Sequence, residues 1–474
     1  MPQLTWEKLL CTKRSREFVS KKAGDVRSEF GKDYHRIICS ASFRRLQDKT
    51  QVYPLNRGDF VRTRLTHSME VSSFAGSLGE TIFRRLIEKG AAGVTERVRE
   101  DCCDILECAG LIHDIGNPPF GHFGEFAIRQ WFADNLPTLS FKGQRVEELL
   151  TDQMKGDFLH FEGNAQALRV LSKLHCLVDM DNGMNLTYAL LNTIIKYPVS
   201  SLGINKRSGN IKDKKMGYYV SEQSLFEDIT QSTGAVNCRY PLTFILESAD
   251  DIAYKTADIE DAVIKGLITY PQLMSEITSF ASRCKTDEER AAVENAAQRL
   301  SHYLESAQER GMPSPEEKAV QNWIVYIQGR LIYAAADAFV ENYEAIMRGE
   351  FATELLAVSP VRVLADALSD IAVKYAFRSD LILKIELSVD TMMTFLLDRI
   401  AGAALRFDTP QARITDGNLS SIISANYMKI CERNCAGKTD SEQCYNRLLL
   451  VTDYVCGMTD GYARELYRSI SGIS

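Results

Sequence analysis

Apolar positions along this chain recur mostly at helical spacing. In "QNWIVYIQGRLIYAAADAFVENYEAI", Ile324, Ile327, Leu331, Ala335 and Ala338 form one stripe of a 3.6-residue period, which predicts a long amphipathic helix. "TDEERAAVENAAQRLSHYLESAQERG" opens with Thr286 and Glu289, the pattern of a capping box, and reaches a stop near Gly311. Strand-like alternation is rare and short, so the predicted fold class is all-α with at most a short hairpin. Two stretches resist helix. Residues 53–63, "YPLNRGDFVRT", predict a turn or short hairpin. Residues 198–219, "PVSSLGINKRSGNIKDKKMGYY", predict a surface loop that carries five basic residues. No repeat and no clean linker is evident. A soft division near 270 separates a core, 1–270, from a helical C-terminal region, 271–474.

One stretch departs from this pattern in a way that costs it regularity. "ECAGLIHDIGNPPFGHFGEFAIRQWF" begins as an apolar helix, meets Gly116 and the Pro118-Pro119 pair, and restarts as a second helix. The chain holds seven histidines and places two of them, His113 and His122, beside this break. Adjacent His113 and Asp114 would point about 100° apart on a helix, so both reach one ion only where the helix is ending. The prolines supply an ending, because neither can continue the helix it follows. His67 and Asp250 can close the site from other helices, giving two imidazoles and two carboxylates. A mixed nitrogen and oxygen set suits Mn²⁺, Fe²⁺, Co²⁺, Ni²⁺ or Zn²⁺ better than a site made for an all-oxygen ion. Taken singly, each residue is more often structural than a ligand; the combination carries the signal.

His122 and Glu125 lie three apart, on one face of the second helix. A carboxylate beside imidazole fixes its tautomer and favours its protonated form, as a proton donor or shuttle needs. The bland alternative is an acidic first turn that favours the helix dipole. In "LESADDIAYKTADIEDA", Asp250, Tyr254 and Asp258 follow i, i+4, i+8 on one helical face. Tyr254 can stack on a sugar and Asp258 can accept from its hydroxyl. Asp251 lies off that face, where it can pair with Lys255 as a solvated i,i+4 pair, which leaves Asp250 as the ligand.

Composition narrows the setting without choosing the chemistry. Lys plus Arg number 56 and Asp plus Glu 63, a formal charge of −7, which argues against a globally basic nucleic-acid coat but not against a local basic pocket. No apolar run approaches the ~18 residues of a membrane span, and the N-terminal stretch lacks the apolar core of a signal peptide. The twelve cysteines include no C-x-x-C pair, and reduced, packed thiols in a cytoplasm are expected.

"RTRLTHSMEV", "LIHDIGNPPFGHFGE", "FEGNAQ" and "ADDIAY" together resemble the HD-domain deoxynucleoside triphosphate triphosphohydrolases, and among them the bacterial deoxyguanosine triphosphate triphosphohydrolases. The likeness begins at "SASFRRLQDKTQVYPL", runs through "GYYVSE", and reappears at "GMTDGYARELYR". It implies hydrolysis of a deoxynucleoside triphosphate, dGTP foremost, to deoxynucleoside and tripolyphosphate. It implies His67, His113, Asp114 and Asp250 as ligands of a divalent ion, Mn²⁺ or Mg²⁺ foremost and Co²⁺, Fe²⁺, Ni²⁺ or Zn²⁺ otherwise. His122 with Glu125 becomes the catalytic pair, and Arg64 holds the α-phosphate. Lys196, Tyr197 and Lys215 grip the triphosphate, which gives the basic loop a function. Tyr254 and Asp258 read the 3′-hydroxyl, Gln51 and Val52 approach sugar and base, and Asn117, His160, Glu162 and Asn164 line the site. A homo-oligomer, frequently a hexamer, and single-stranded DNA are the partners implied, with no membrane. Two competing readings remain: an HD phosphohydrolase for another nucleotide, and a nucleotide- or DNA-binding scaffold without turnover.

Overall fold

The stripe predicted between 324 and 338 is the buried side of one helix, Pro315–Glu341, whose Ile324, Ile327, Leu331, Ala335 and Ala338 are all buried. The structure, a computed structural model, describes residues 3–16, 27–51, 62–175, 181–378 and 380–472. Its fold is all-α. Among the described residues the one sheet is a two-residue pairing of Ser140–Phe141 with Gln144–Arg145. The hairpin expected at 53–63 falls mostly outside the described residues, although Thr50 and Thr63 pair across it as an antiparallel bridge. The basic loop after Pro198 contains only short 3-10 turns, Ser201–Gly203 and Ile211–Asp213.

The helix Asp287–Glu309 forms half of the expected capping box. Thr286 accepts from Glu289 N at 3.2 Å, but the Glu289 carboxylate turns to Lys285 N at 2.7 Å and to Arg362. A guanidinium within reach outcompetes the local amide for that oxygen.

Packing divides the chain into two units that interleave along the sequence. One comprises 1–6, 69–110 and 241–385; the other comprises 7–68, 111–240 and 386–474. In the first, Trp323 is fully buried and donates to Ala296 O at 2.8 Å, joining Pro315–Glu341 to Asp287–Glu309. Trp6 donates to the Tyr343 hydroxyl at 2.8 Å and meets Phe83 edge-on. In the second, Phe132 stacks on Phe158 at 4.6 Å, and Phe158 meets Tyr445 at 5.4 Å. Buried Arg169 bonds Asp453 through two nitrogens at 2.7 Å each and Glu222 at 2.9 Å. A buried cation needs this degree of pairing to offset its desolvation. The network ties Gly163–Arg169 to Asp440–Cys456, and so fixes the helix against which the His113 turn packs.

Candidate active site

The first helix of the break ends at Ile112, so His113 and Asp114 sit in the turn after it rather than on it. His67, in the opening turn of Arg64–Glu88, comes up beside them. One ligand atom from each of His67, His113 and Asp114 lies within 4.8 Å of the others, and the two imidazole centroids are 5.4 Å apart. Both histidines are buried. Asp114 Oδ1 accepts from Asn117 Nδ2 at 2.6 Å, and Oδ2 pairs with the buried Arg64 guanidinium. Two buried imidazoles and a carboxylate held in place by its neighbours form a donor set that fits a divalent ion of intermediate softness.

Gly116 has a different function from the one its place in the break suggested. A Cβ there would lie 2.1 Å from Ala167 N and 2.2 Å from Gly163 O, so glycine lets the turn lie against the helix Gly163–Arg169. Gly121 adopts φ +59, and a Cβ on it would meet Arg64 Nη2 at 2.5 Å. That glycine serves both the backbone conformation and the space Arg64 occupies.

The second helix starts at His122, whose side chain is 88% exposed, while Glu125 beneath it is 3% exposed. His122 Nδ1 lies 3.2 Å from Glu125 Oε2. Glu125 Oε1 accepts from Gly163 N at 2.8 Å, and Arg129 approaches Oε2 to 3.7 Å. Burial pushes the Glu125 carboxyl up. The His122 contact and charge, the Lys215 charge and the Gly163 amide together outweigh it and hold the carboxyl at about 2. An ionised carboxylate only accepts, so Nδ1 must carry the proton in this bond and Nε2 is left as the exposed ring nitrogen.

Glu162 accepts from Lys215 Nζ and from Asn164 Nδ2, each at 2.9 Å. Burial, then the nearby Glu125 charge, raises the Glu162 carboxyl against the pull of Lys215. Gly217 packs against the Tyr197 carbonyl so closely that a Cβ would meet it at 1.9 Å, which sets "KKMGYY" alongside Lys196 and Tyr197. His160 is exposed at the end of Asp152–Leu159, its pKa lowered by part burial and then by the charges of Lys206 and Arg129. Thus one unit gathers the His67–His113–Asp114 cluster, the His122–Glu125 pair, Arg64, Asn117, the 160–164 motif and the basic segments.

With this geometry in view, the comparisons decide the family. An HD domain matches residues 64–154. A deoxyguanosinetriphosphate triphosphohydrolase-like protein of Listeria monocytogenes is 45% identical over 99% of this chain and 100% of its own length. The chain belongs to the deoxyguanosinetriphosphate triphosphohydrolase family. A protein named deoxyguanosinetriphosphate triphosphohydrolase from Serratia proteamaculans is 32% identical over 96% of each chain. A like protein of Pseudomonas aeruginosa is 34% identical over 99% of each.

Within this triphosphohydrolase-family chain, several expectations need adjusting. Val52 lies outside the described residues, whereas Gln51 is half-buried with an Oε1 that has no hydrogen-bond partner among them. Asp250, Tyr254 and Asp258 share one face of Pro241–Ile264, in the unit that holds 241–385. Asp251 does pair with Lys255, at 2.6 Å, but not as a solvated pair: Lys255 is buried, and burial pushes the Asp251 carboxyl up to about 6. Tyr254 is raised above the ordinary phenol range by burial and then by the surrounding carboxylates. Three contributors went unnoticed in the sequence. Gly163 is one, since a Cβ there would meet Asn117 Oδ1 at 2.0 Å and Glu125 Oε1 at 2.8 Å. Arg129 sits one turn beyond Glu125, a spacing that an i,i+4 search would find. Lys49 bridges two distant carbonyls, and nothing local marks it.

Proposed function

We propose that this protein hydrolyses a deoxynucleoside triphosphate, dGTP foremost, to deoxynucleoside and tripolyphosphate with a divalent ion, Mn²⁺ or Mg²⁺. The observation that carries the reading is a His67–His113–Asp114 cluster, its two histidines buried, in the same unit as an exposed histidine anchored on a buried carboxylate. We take Asp250 as the fourth ligand on its helical register. A bound ion supplies Lewis-acid polarisation of the α-phosphate and acidifies a water. The bond from α-phosphorus to the 5′-oxygen breaks, the water oxygen stays on the tripolyphosphate, and the 5′-oxygen takes a proton.

His122 suits the delivery of that proton, because Glu125 below it orients the ring through Nδ1 and leaves the other ring nitrogen exposed. Arg64 is our candidate for the α-phosphate: its guanidinium lies beside Asp114, and its buried Nε has no hydrogen-bond partner among the described residues. Lys196, Tyr197 and Lys215 add charge and a hydroxyl along the polyphosphate. Asn117, His160, Glu162 and Asn164 line the site, Gln51 and Val52 approach the sugar and base, and Tyr254 and Asp258 read the 3′-hydroxyl. Residues 1–270 carry this chemistry in our reading, and 271–474 complete the base pocket and the contacts of a cytoplasmic homo-oligomer, a hexamer, with single-stranded DNA as a further partner.

The test is incubation with each of the four dNTPs, with and without Mn²⁺ or Mg²⁺, and chromatography of the products. Tripolyphosphate with free deoxynucleoside is expected; orthophosphate or pyrophosphate points to another nucleotide hydrolase. Binding without turnover points to a scaffold. His122→Ala should lower kcat by about 10²–10⁴-fold and preserve nucleotide binding.

A further inference from the structure

The turn between Asp114 and His122 is gripped from a stretch more than three hundred residues away. Asp460 is buried at the first position of the helix Asp460–Ser471. Its Oδ1 accepts from Phe120 N at 2.9 Å, and its Oδ2 accepts from Thr50 N at 3.0 Å and Thr50 Oγ1 at 2.5 Å. Beside it, buried Lys49 donates from Nζ to the carbonyls of Asn117 and Cys456, each at 2.6 Å. Lys49 therefore holds the entry of the turn and Asp460 holds its exit. Both anchor it to the same C-terminal segment, 456–460.

The exit is where holding is needed. Phe120 has φ +64 and Gly121 φ +59, two successive residues at positive φ immediately before His122. A bulky residue stays in that region only when its surroundings over-determine it. Phe120 is also 2% exposed, so its ring and its amide are both fixed. An acidic residue in the first turn of a helix can be explained by the helix dipole alone. That explanation leaves unaccounted why both Asp460 oxygens bond to residues outside their own helix. "GMTDGYARELYR" therefore acquires a function that the substrate-contacting residues do not use.

We propose that Asp460 is a positioning residue for the hydrolytic reaction: it fixes the Phe120–Gly121 turn that aims His122, and with its other oxygen the Thr50–Gln51 segment that approaches the sugar. This rests on the function proposed above. The two oxygens divide the consequences. Losing the bond to Phe120 misplaces a proton carrier and lowers kcat; losing the bond to Thr50 loosens a binding segment and raises KM.

The experiment uses the full chain and the variants Asp460→Ala, Asp460→Asn and Thr50→Val. It measures kcat and KM for dGTP with Mn²⁺, Mn²⁺ affinity by calorimetry, and amide hydrogen exchange over 116–122. Asp460→Ala is expected to lower kcat by about 100-fold, to speed exchange over 116–122, and to leave Mn²⁺ affinity unchanged, since Asp460 touches none of the proposed ligands. Thr50→Val, which removes only the Oγ1 donor, is expected to raise KM and spare kcat. Asp460→Asn keeps one accepting oxygen and an overall shape close to Asp, so it reports on the turn even where the alanine variant does not fold. Faster exchange confined to 460–471 with kcat unchanged overturns the proposal, as does a parallel loss of kcat and Mn²⁺ affinity. A wild-type protein that hydrolyses no dNTP sinks the proposed function instead, and exchange over 116–122 then decides separately whether Asp460 holds the turn.

Discussion

Glu125 concentrates the chemistry of the site in one side chain. It is buried and yet held ionised, because His122, Lys215 and the Gly163 amide together outweigh its desolvation. A carboxyl depressed from the ordinary 4.5 to about 2 stabilises the fold above pH 4.5, where the unfolded chain is also ionised. Between those values the unfolded chain binds more protons, so stability rises with pH, and it is lost as pH falls through about 2. Glu125→Gln should therefore cost roughly 1–3 kcal/mol at neutral pH. The gap between variant and wild type should close as pH falls from 4.5 toward 2, and urea unfolding across that range reads it. A constant gap at all pH values would mean the cost is steric. At this scale the sequence was legible where spacing is local: His122 and Glu125 are three apart, and one helical turn brings them together. It was illegible for Arg64, whose Asp114 partner lies fifty residues on and is brought to it only by folding.

Helices are where the sequence spoke most clearly, because their periodicity and caps are short-range signals. The stripe from Ile324 to Ala338 is a buried face, and Thr286 caps its helix although the reciprocal Glu289 half of the box does not form. What short-range patterning missed is how closely two elements approach. Gly116 reads as a helix breaker, but the helix has already ended at Ile112, and its lack of a side chain serves contact with Gly163–Arg169. Gly116→Ala places a methyl about where backbone atoms of Gly163 and Ala167 now sit, so the turn must shift. The expected cost is about 1–3 kcal/mol in urea unfolding, with weakened Mn²⁺ binding because Asp114 moves with the turn. Full stability and full Mn²⁺ affinity in this variant would show that the turn has slack.

At the scale of the whole molecule, the chain weaves between two packed units with no composition shift to mark the crossings. Residues 69–110 pack with 241–385, and residues 386–474 return to pack with 7–68 and 111–240. These two units do not follow the order of the sequence. Folding alone therefore assembles the donor set His67, His113 and Asp114. Ion binding should in turn stabilise the folded chain. Mn²⁺ at a hundredfold its dissociation constant should add about 2.7 kcal/mol to unfolding free energy and raise Tm. His113→Ala should abolish that shift while leaving the metal-free protein folded. A wild-type Tm indifferent to Mn²⁺, Mg²⁺ and Co²⁺ would remove the metal from the reading.

The sequence by itself determined the helices, their caps, the candidate ligand types and the family motifs, because each is written within a few turns of chain or in a fixed local spacing. Tertiary structure decided which cation faces Asp114, why Gly116 and Gly163 must be glycine, and how Asp460 reaches Phe120. Those outcomes depend on distances between segments far apart in the chain, and such distances exist only once the packed core has set them.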